Sequence, residues 1–384
     1  MAKSLCDVPE GLLTEIFVRI PVKSLLQCKS VCKPLLSNPH FVKSHLHRTL
    51  ISYWNNPTLL TILNPPPSEA GLALLALMKA DFLLAQSIFM THQVQRQEEL
   101  MNQALLDTSG QDLSKSPVDF YRLVMPPCFD SDCRVISSFN GIICLANLFG
   151  NVVYLWNPTI RQCRKILGPT EHTGRIFSVK MGFGYISESN EYIVLRLLFD
   201  VIPIVQVYST KTDSWKEFRA PTLQNWKDCS GAQIVVNGIL YFDGVNELVS
   251  FDLRNEVIGL VPFPTIIQTK KSDVLDFEGS VAMVFESGSG FDLWTLDDVS
   301  GQVSWTKFFS IENDSETEIW LQSYLGAGQF YGRKIYNERY YMYRILYDYE
   351  KKEIKYHGLG EENINVNLKY TQSLVSLDGF EQME

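Results

Sequence analysis

The chain has little of what a nucleic-acid-binding, membrane or secreted protein needs. Its 384 residues carry a net charge of −9 and no basic stripe, and since Lys and Arg supply most of the affinity for phosphate, nucleic acid is not an expected partner. The longest apolar run, residues 71–89, is interrupted by Lys79 and Asp81, so no membrane span is predicted. Eight cysteines without a charged-then-apolar leader after Met1 predict free thiols in the cytoplasm or the nucleus.

The sequence also lacks a convincing metal or nucleophile pattern. Cys28, Cys32, His40 and His45 follow the order of zinc-finger ligands, but the gap between the second cysteine and the first histidine is far shorter than the roughly twelve residues of a finger. The two cysteines also fall on an apolar helical face, which favours buried thiols. No metal and no cofactor are therefore expected.

What the chain does have is material for a core and an uneven charge. It is 46% hydrophobic and 12% aromatic, which is ample for two or three packed domains. Residues 1–48 carry a net charge of +4, which leaves −13 for the remainder. Two different surfaces are implied.

Residues 1–48 predict three short helices. The first begins near Asp7 and Pro9 and ends at Pro21, the second follows Pro21, and the third begins with the cap signal Asn38 and Pro39. Apolar residues recur at helical spacing in all three. A core of this size is too small for secure independent stability, so the apolar faces need a partner.

The string VPEGLLTEIFVRIPVKSLLQCKSVCK, followed by LLSNPHFV, resembles the F-box, the adaptor-docking motif of SCF-type ubiquitin ligases. The chain departs from the family pattern at Gly11, where an acidic residue is usual, and after Lys33, where about three residues and a Trp are missing, which predicts a shortened third helix. The resemblance implies a set of residues that pack on the acidic adaptor subunit. They are Pro9, Leu12, Leu13, Ile16, Phe17, Pro21, Val22, Lys23, Leu25, Leu26, Val31 and Cys32.

From residue 117 the pattern changes to strands that alternate with polar turns. Five segments repeat an apolar strand, a turn and a returning strand, with equivalent anchors at Trp156, Tyr208, Phe251, Trp294 and Tyr347. Further strand pairs lie between them, one turning at Asn237 and Gly238. Four strands in each repeat of roughly 40 to 50 residues indicate a β-propeller, here of about six blades. The Gly-Gly doublets of clear kelch repeats are absent from the sequence.

Strings such as SFNGIICL, LWNPTIRQCRKIL, VYSTKTDSWKEF and VNGILYF are similar to the plant F-box-associated interaction domain (type 1), a kelch-like propeller. The predicted fold class is α+β, with an all-β propeller-like domain behind a three-helix F-box. The predicted domains are an F-box over 1–48, a linker and closing strands over 49–67, a helical insertion over 68–116 and the propeller-like domain over 117–384.

The two resemblances together imply a substrate-recognition subunit of an SCF-type ubiquitin ligase rather than an enzyme. Its expected partners are the adaptor, a cullin scaffold reached through it, and a protein substrate of unknown identity. Trp226, in a loop between strands, is the one candidate substrate anchor, with blade packing as its alternative role.

Two other functions stay open. A propeller enzyme could use an acid pair such as Glu188 with Glu191 or Asp297 with Asp298, although all four are predicted to lie in solvated turns. A protein of the same fold could also use its F-box outside a ligase because of the shortened third helix.

Overall fold

The computed structural model describes most of the N-terminal helices and nearly all of the repeats. The described residues are 10–27, 35–55, 58–63, 119–124, 129, 133–169, 178–226, 228–264, 274–287, 290–299, 302–312, 317–336, 341–359 and 364–383. The predicted insertion over 68–116 lies outside them.

Three helices come first among these residues. They are α1 (Glu10–Phe17), α2 (Val22–Gln27) and α3 (Pro39–Asn55). Asn38 caps α3 as predicted, because its Oδ1 accepts a hydrogen bond from the backbone N of His40 at 2.9 Å. The third helix is not shortened as predicted, because α3 has 17 residues and runs seven residues beyond the predicted end of the F-box. Of the linker and closing strands predicted over 49–67, a strand is therefore confirmed only from Thr58.

Five sheets of four consecutive antiparallel strands follow, and each is one blade. Blade 1 comprises β3 (Arg134–Phe139), β4 (Ile142–Ala146), β5 (Val152–Asn157) and β6 (Gln162–Leu167). Blade 2 comprises β7 (Ser178–Ile186), β8 (Glu191–Phe199), β9 (Ile204–Ser209) and β10 (Ser214–Arg219). Blade 3 comprises β11 (Asp228–Val236), β12 (Ile239–Gly244), β13 (Glu247–Asp252) and β14 (Val257–Pro262), and a short 3-10 helix, Pro221–Leu223, precedes it. Blade 4 comprises β15 (Leu275–Phe277), β16 (Ser280–Ser287), β17 (Gly290–Val299) and β18 (Gln302–Glu312), and blade 5 comprises β19 (Thr317–Gly326), β20 (Gln329–Tyr336), β21 (Tyr341–Asp348) and β22 (Glu353–Leu359).

A sixth, three-stranded closing sheet joins the two ends of the described chain. Its central strand, β1 (Thr58–Leu63), pairs in parallel with β2 (Asp119–Val124) and antiparallel with β23 (Ile364–Lys369). A last short strand, β24 (Glu381–Gln382), adds to the edge of blade 1 at β6. Five four-stranded blades are thus described, and a sixth blade of four strands is not confirmed.

The first strand of each blade lines the inside of the ring. Neighbouring first strands lie against one another in the order β3, β7, β11, β15 and β19, and β23 of the closing sheet lies against β3. Apolar side chains fill the spaces between successive blades, so each interface is a separate small core. The alternating pattern arises because successive strand residues face opposite neighbouring blades.

The tight turn predicted at Asn237 and Gly238 is confirmed. Both residues have positive φ, 51° and 78°, as a two-residue hairpin turn of the type I′ requires. Asparagine tolerates this conformation and glycine adopts it without steric cost, so the two residues select the turn.

The five predicted anchors all lie in the third strand of a blade. Trp156, Tyr208, Phe251 and Tyr347 are each the second-to-last residue of that strand. Trp294 is instead the fifth residue of the ten-residue β17. The prediction that the anchors occupy equivalent strand positions is therefore confirmed for four of them and wrong for Trp294. Blade 4 has a longer hairpin, which shifts its aromatic residue away from the turn.

A tryptophan also joins neighbouring blades at their outer strands. Trp215 Nε1 in β10 donates to the backbone O of Leu167, the last residue of β6, at 2.9 Å. Trp305 Nε1 in β18 makes the same bond to Pro262, the last residue of β14, at 2.8 Å. Blades 2 and 4 are therefore tied to their predecessors in the same way.

Candidate functional site

Two large apolar side chains are exposed on the first helix. Leu12 is 54% exposed and Ile16 is 55% exposed, and their spacing of four residues places them on one face of α1. Leu13 and Phe17 are half-buried. We call the exposed pair, Leu12 and Ile16, the helix face.

The helix face is held by a small core beneath it. Val22, Leu25 and Phe41 are buried with Leu374 from the end of the propeller, and Ile160, in the turn between β5 and β6, packs against them. The helices therefore rest on blade 1. Val22 and Leu25, expected on the adaptor surface, are only 2% and 0% exposed, so their predicted role is revised to supporting the helices.

A buried histidine fixes how the helices meet. His45 of α3 is 2% exposed, and its Nε2 donates to the backbone O of Ile20 at 2.9 Å. Burial lowers the pKa of His45, and the hydrogen bond to Ile20 opposes this only partly. The neutral imidazole therefore joins α3 to the turn that follows α1.

The remaining predicted adaptor residues divide into three groups. Pro21 and Lys23 are exposed at the start of α2, beside the helix face in the chain, and Leu26 is half-buried. Pro9, Val31 and Cys32 lie outside the described residues.

A second apolar surface lies at the opposite end of the propeller. The hairpin of β5 and β6 has Ile160 in its turn, against the helices, while Val152 pairs with Leu167 at its other end. Exposed apolar residues gather at that other end, in the turns between second and third strands and at the end of a fourth strand. They are Leu148 (50%), Phe149 (59%), Leu167 (67%), Val201 (68%) and Val245 (45%), and we call them the turn surface.

Contacts between blades hold the turn surface together. Arg196 Nε in β8 donates to the backbone O of Phe149 at 2.9 Å, which ties the turn of blade 1 to blade 2. The Arg196 side chain is itself braced by Gln206, whose Oε1 accepts from Nη1 at 2.8 Å. The turn of blade 1 is therefore fixed against the second strand of blade 2.

Trp226 lies beneath this surface. It is 7% exposed, and its ring stacks on Phe199 at a centroid distance of 5.1 Å. A Cβ at Gly244 would lie 2.6 Å from its Nε1, so the indole fills the space between the turns that carry Val201 and Val245. This burial supports the blade-packing role over the anchor role, because little of the ring is left for a partner to touch.

The turn surface was not identified from the sequence. Its signal is the presence of apolar residues in turns between strands, namely Leu148 and Phe149 in NLFGN and Val201 in DVIP. Such residues gain nothing from pairing in the strands, and only the ring of blades places their turns at the same end of the propeller.

The acid residues considered for an enzyme bond to other side chains or lie in a strand. Hydrogen bonds to the exposed Glu188 carboxylate, first from its own backbone N–H and then from Arg254, with which it also forms an ion pair, lower its pKa. Glu191 accepts hydrogen bonds from Ser189 and Ser209. Asp297 and Asp298 lie within β17 rather than in a turn. In the described part of the chain no three His, Cys, Asp or Glu residues are grouped to hold a metal, and no helix there is long and apolar enough to span a membrane.

Comparison with known proteins identifies the family to which the chain is similar. The model of the F-box associated beta propeller domain matches residues 86–374. Three Arabidopsis thaliana proteins are similar over most of their length. F-box protein At4g22390 is 25% identical, with 82% of this chain and 76% of that protein covered. F-box/kelch-repeat protein At3g23880 is 24% identical with 82% and 83% covered, and F-box protein CPR1 is 23% identical with 80% and 74% covered.

Proposed function

The chain belongs to the family of plant F-box proteins with an F-box associated β-propeller domain, and we propose that it is the substrate-recognition subunit of an SCF-type ubiquitin ligase. The helix face binds the adaptor, and through the adaptor a cullin scaffold. The turn surface binds the protein substrate. The chain performs no chemistry of its own and acts inside the cell, in the cytoplasm or the nucleus.

The observation that carries the proposal is the exposure of Leu12 and Ile16. Full burial of an exposed leucine or isoleucine is worth about 1.5–3 kcal/mol, so each of these half-exposed side chains would gain roughly half of that on being covered. Within the described residues neither is covered by the propeller. The net charge of +4 over residues 1–48 complements an acidic adaptor and would accelerate the encounter.

The separation of the two surfaces supports the assignment of adaptor binding to the helix face and of substrate binding to the turn surface. The helices contact blade 1 at Ile160, while Phe149 and Leu167 lie at the far ends of the strands in the same blade. An adaptor on the helix face therefore leaves the turn surface accessible. The propeller then acts as a rigid spacer that holds a substrate at a fixed distance from the ligase.

Ubiquitin transfer would be accelerated by proximity alone. A substrate held on the turn surface reaches a high effective concentration near the charged conjugating enzyme, without any catalytic group from this chain.

Reconstitution tests the proposal. The full chain is mixed with the purified adaptor and cullin subunits, and the mixture is separated by size-exclusion chromatography with mass determination. We expect a stoichiometric complex that contains all three proteins. Separate elution of this chain at micromolar concentration would reject the ligase assignment.

A further inference from the structure

A buried arginine in blade 5 has a guanidinium nitrogen without a hydrogen-bond partner. Arg344 in β21 is 7% exposed, and its Nη2 has no hydrogen-bond partner. The ion pairs of the described residues do not include it. A guanidinium stays charged at any ordinary pH, and a buried charge is costly unless an opposite charge or several hydrogen bonds compensate it.

A second arginine lies directly opposite on the neighbouring strand. Arg333 of β20 pairs with Arg344 in the ladder, which places their Cβ atoms about 4.5–5.5 Å apart on one face of the sheet. Its Nε donates to Gln322 Oε1 at 3.1 Å, a neutral acceptor that leaves the charge in place. Two like charges in directly opposite positions destabilise a sheet.

The pair faces away from the packed core of its blade. Ile345 and Tyr347 belong to the core shared with blade 4, and successive strand residues point to opposite faces. Arg344 therefore shares the other face with Leu346, which packs on Tyr331 in a separate small cluster. Apolar contacts on this second face lower the local dielectric and strengthen any interaction with an anion.

We propose that Arg333 and Arg344 form a binding site for an oxyanion, that is, a carboxylate or a phosphate group. Two guanidinium groups on adjacent strands can each donate two parallel N–H bonds, the geometry that suits the paired oxygens of these anions. One bound oxyanion would accept a hydrogen bond from Arg344 Nη2 and offset the repulsion between the two arginines. The site is independent of the helix face and of the turn surface.

Thermal unfolding of the full chain tests the site, with inorganic phosphate and citrate as separate probes at constant ionic strength maintained with chloride. We expect the unfolding temperature to rise with one probe or both, and isothermal titration to give a Kd for that probe at least about tenfold weaker in Arg344→Met. A stronger response to phosphate identifies a phosphate-bearing ligand, and a stronger response to citrate identifies a carboxylate.

The matched control is Arg254→Met, since Arg254 is exposed and paired with Glu188. This variant should respond to the probe as the parent chain does. An equal response in Arg344→Met, or no response of the parent chain up to about 10 mM of either probe, overturns the proposal. If Arg344→Met does not fold, Arg333→Gln is the second variant, and an unchanged Kd in it also overturns the proposal.

Discussion

Asn157 and Ser373 are 216 residues apart in the chain and hydrogen-bonded in the fold, where Asn157 Nδ2 donates to the backbone O of Ser373 at 3.1 Å. Both residues are fully buried. The same Nδ2 donates to the O of Val375 at 2.8 Å, and Asn157 Oδ1 accepts from the backbone N of Thr159 at 3.0 Å. One amide side chain thus fastens the C-terminal segment to blade 1.

Replacing this side chain should destabilise the whole propeller. We expect Asn157→Ala to lower the free energy of unfolding by about 3 kcal/mol, because buried carbonyl oxygens lose their donor. Urea unfolding measures the change, and the exposed Asn225 provides the control Asn225→Ala, which should differ from the parent by less than about 0.5 kcal/mol. Equal stability of both variants would show that the segment is not fastened by Asn157.

Trp226 should behave as a packing residue. Because the ring is buried against Phe199 and Gly244, Trp226→Ala should cost about 3 kcal/mol or more. Trp226→Phe should cost clearly less, since it keeps ring contacts and removes an Nε1 that has no hydrogen-bond partner. An unchanged unfolding temperature for the alanine variant would return Trp226 to the role of an exposed anchor.

The stability of the helical segment should depend on pH through His45. In the folded chain, burial lowers the pKa of His45 below its ordinary value of 6.5. The unfolded chain therefore binds the proton more readily than the folded chain. The stabilisation that is present above pH 6.5 is lost as the pH falls below this value. Thermal unfolding between about pH 7.5 and pH 5 measures this. We expect a weaker pH dependence in His45→Gln than in the parent, while His47→Gln, at an exposed position on the same helix, should retain the parent profile. Identical slopes in all three chains would contradict a neutral, buried His45.

Substrate capture should require the turn surface. Val201→Asp would place a carboxylate in an apolar interface with the substrate. It should leave the stability of the unbound chain unchanged, because Val201 is 68% exposed. Val257→Asp is the matched control, since Val257 is 59% exposed but lies at the start of β14, where blade 3 turns at the opposite end. Quantitative proximity labelling in cells compares the two variants. We expect a set of proteins whose labelling is lost in Val201→Asp and retained in Val257→Asp. Equal labelling by the two variants would show that the turn surface does not bind the substrate.

The repeating part of the fold could be predicted because its signals are local. An apolar strand, a polar turn and a returning strand specify each hairpin, and Asn237 with Gly238 specifies its turn type. The closing strand within 49–67 could be predicted, but its partners could not, because β1 pairs with strands that lie far away in the chain. Dividing the length by a repeat of constant size therefore gave about six blades, whereas the described residues form five four-stranded blades and a closing sheet of three strands.

The residues of the candidate sites also differ in how far the sequence alone predicts their exposure. Leu12 and Ile16 follow from helical spacing and from the F-box resemblance, whereas Val22 and Leu25 share that spacing and are covered by Phe41 and Leu374 from elsewhere in the chain. Phe149 and Val201 are ordinary turn residues until two blades meet. The environment of Trp226 is likewise set by other segments, so a loop position in the sequence did not reveal its burial.

The affinity of the purified chain for the SCF adaptor subunit tests the central claim most directly. The variant carries Leu12→Asp and Ile16→Asp, and the matched control carries Ile51→Asp, since Ile51 is 53% exposed on α3. Unpaired carboxylates in an apolar interface cost several kcal/mol, so the double variant should bind more than about a hundredfold more weakly while the control binds as the parent does. Circular dichroism should show the propeller folded in all three chains. Unchanged adaptor affinity in the folded double variant would contradict the account.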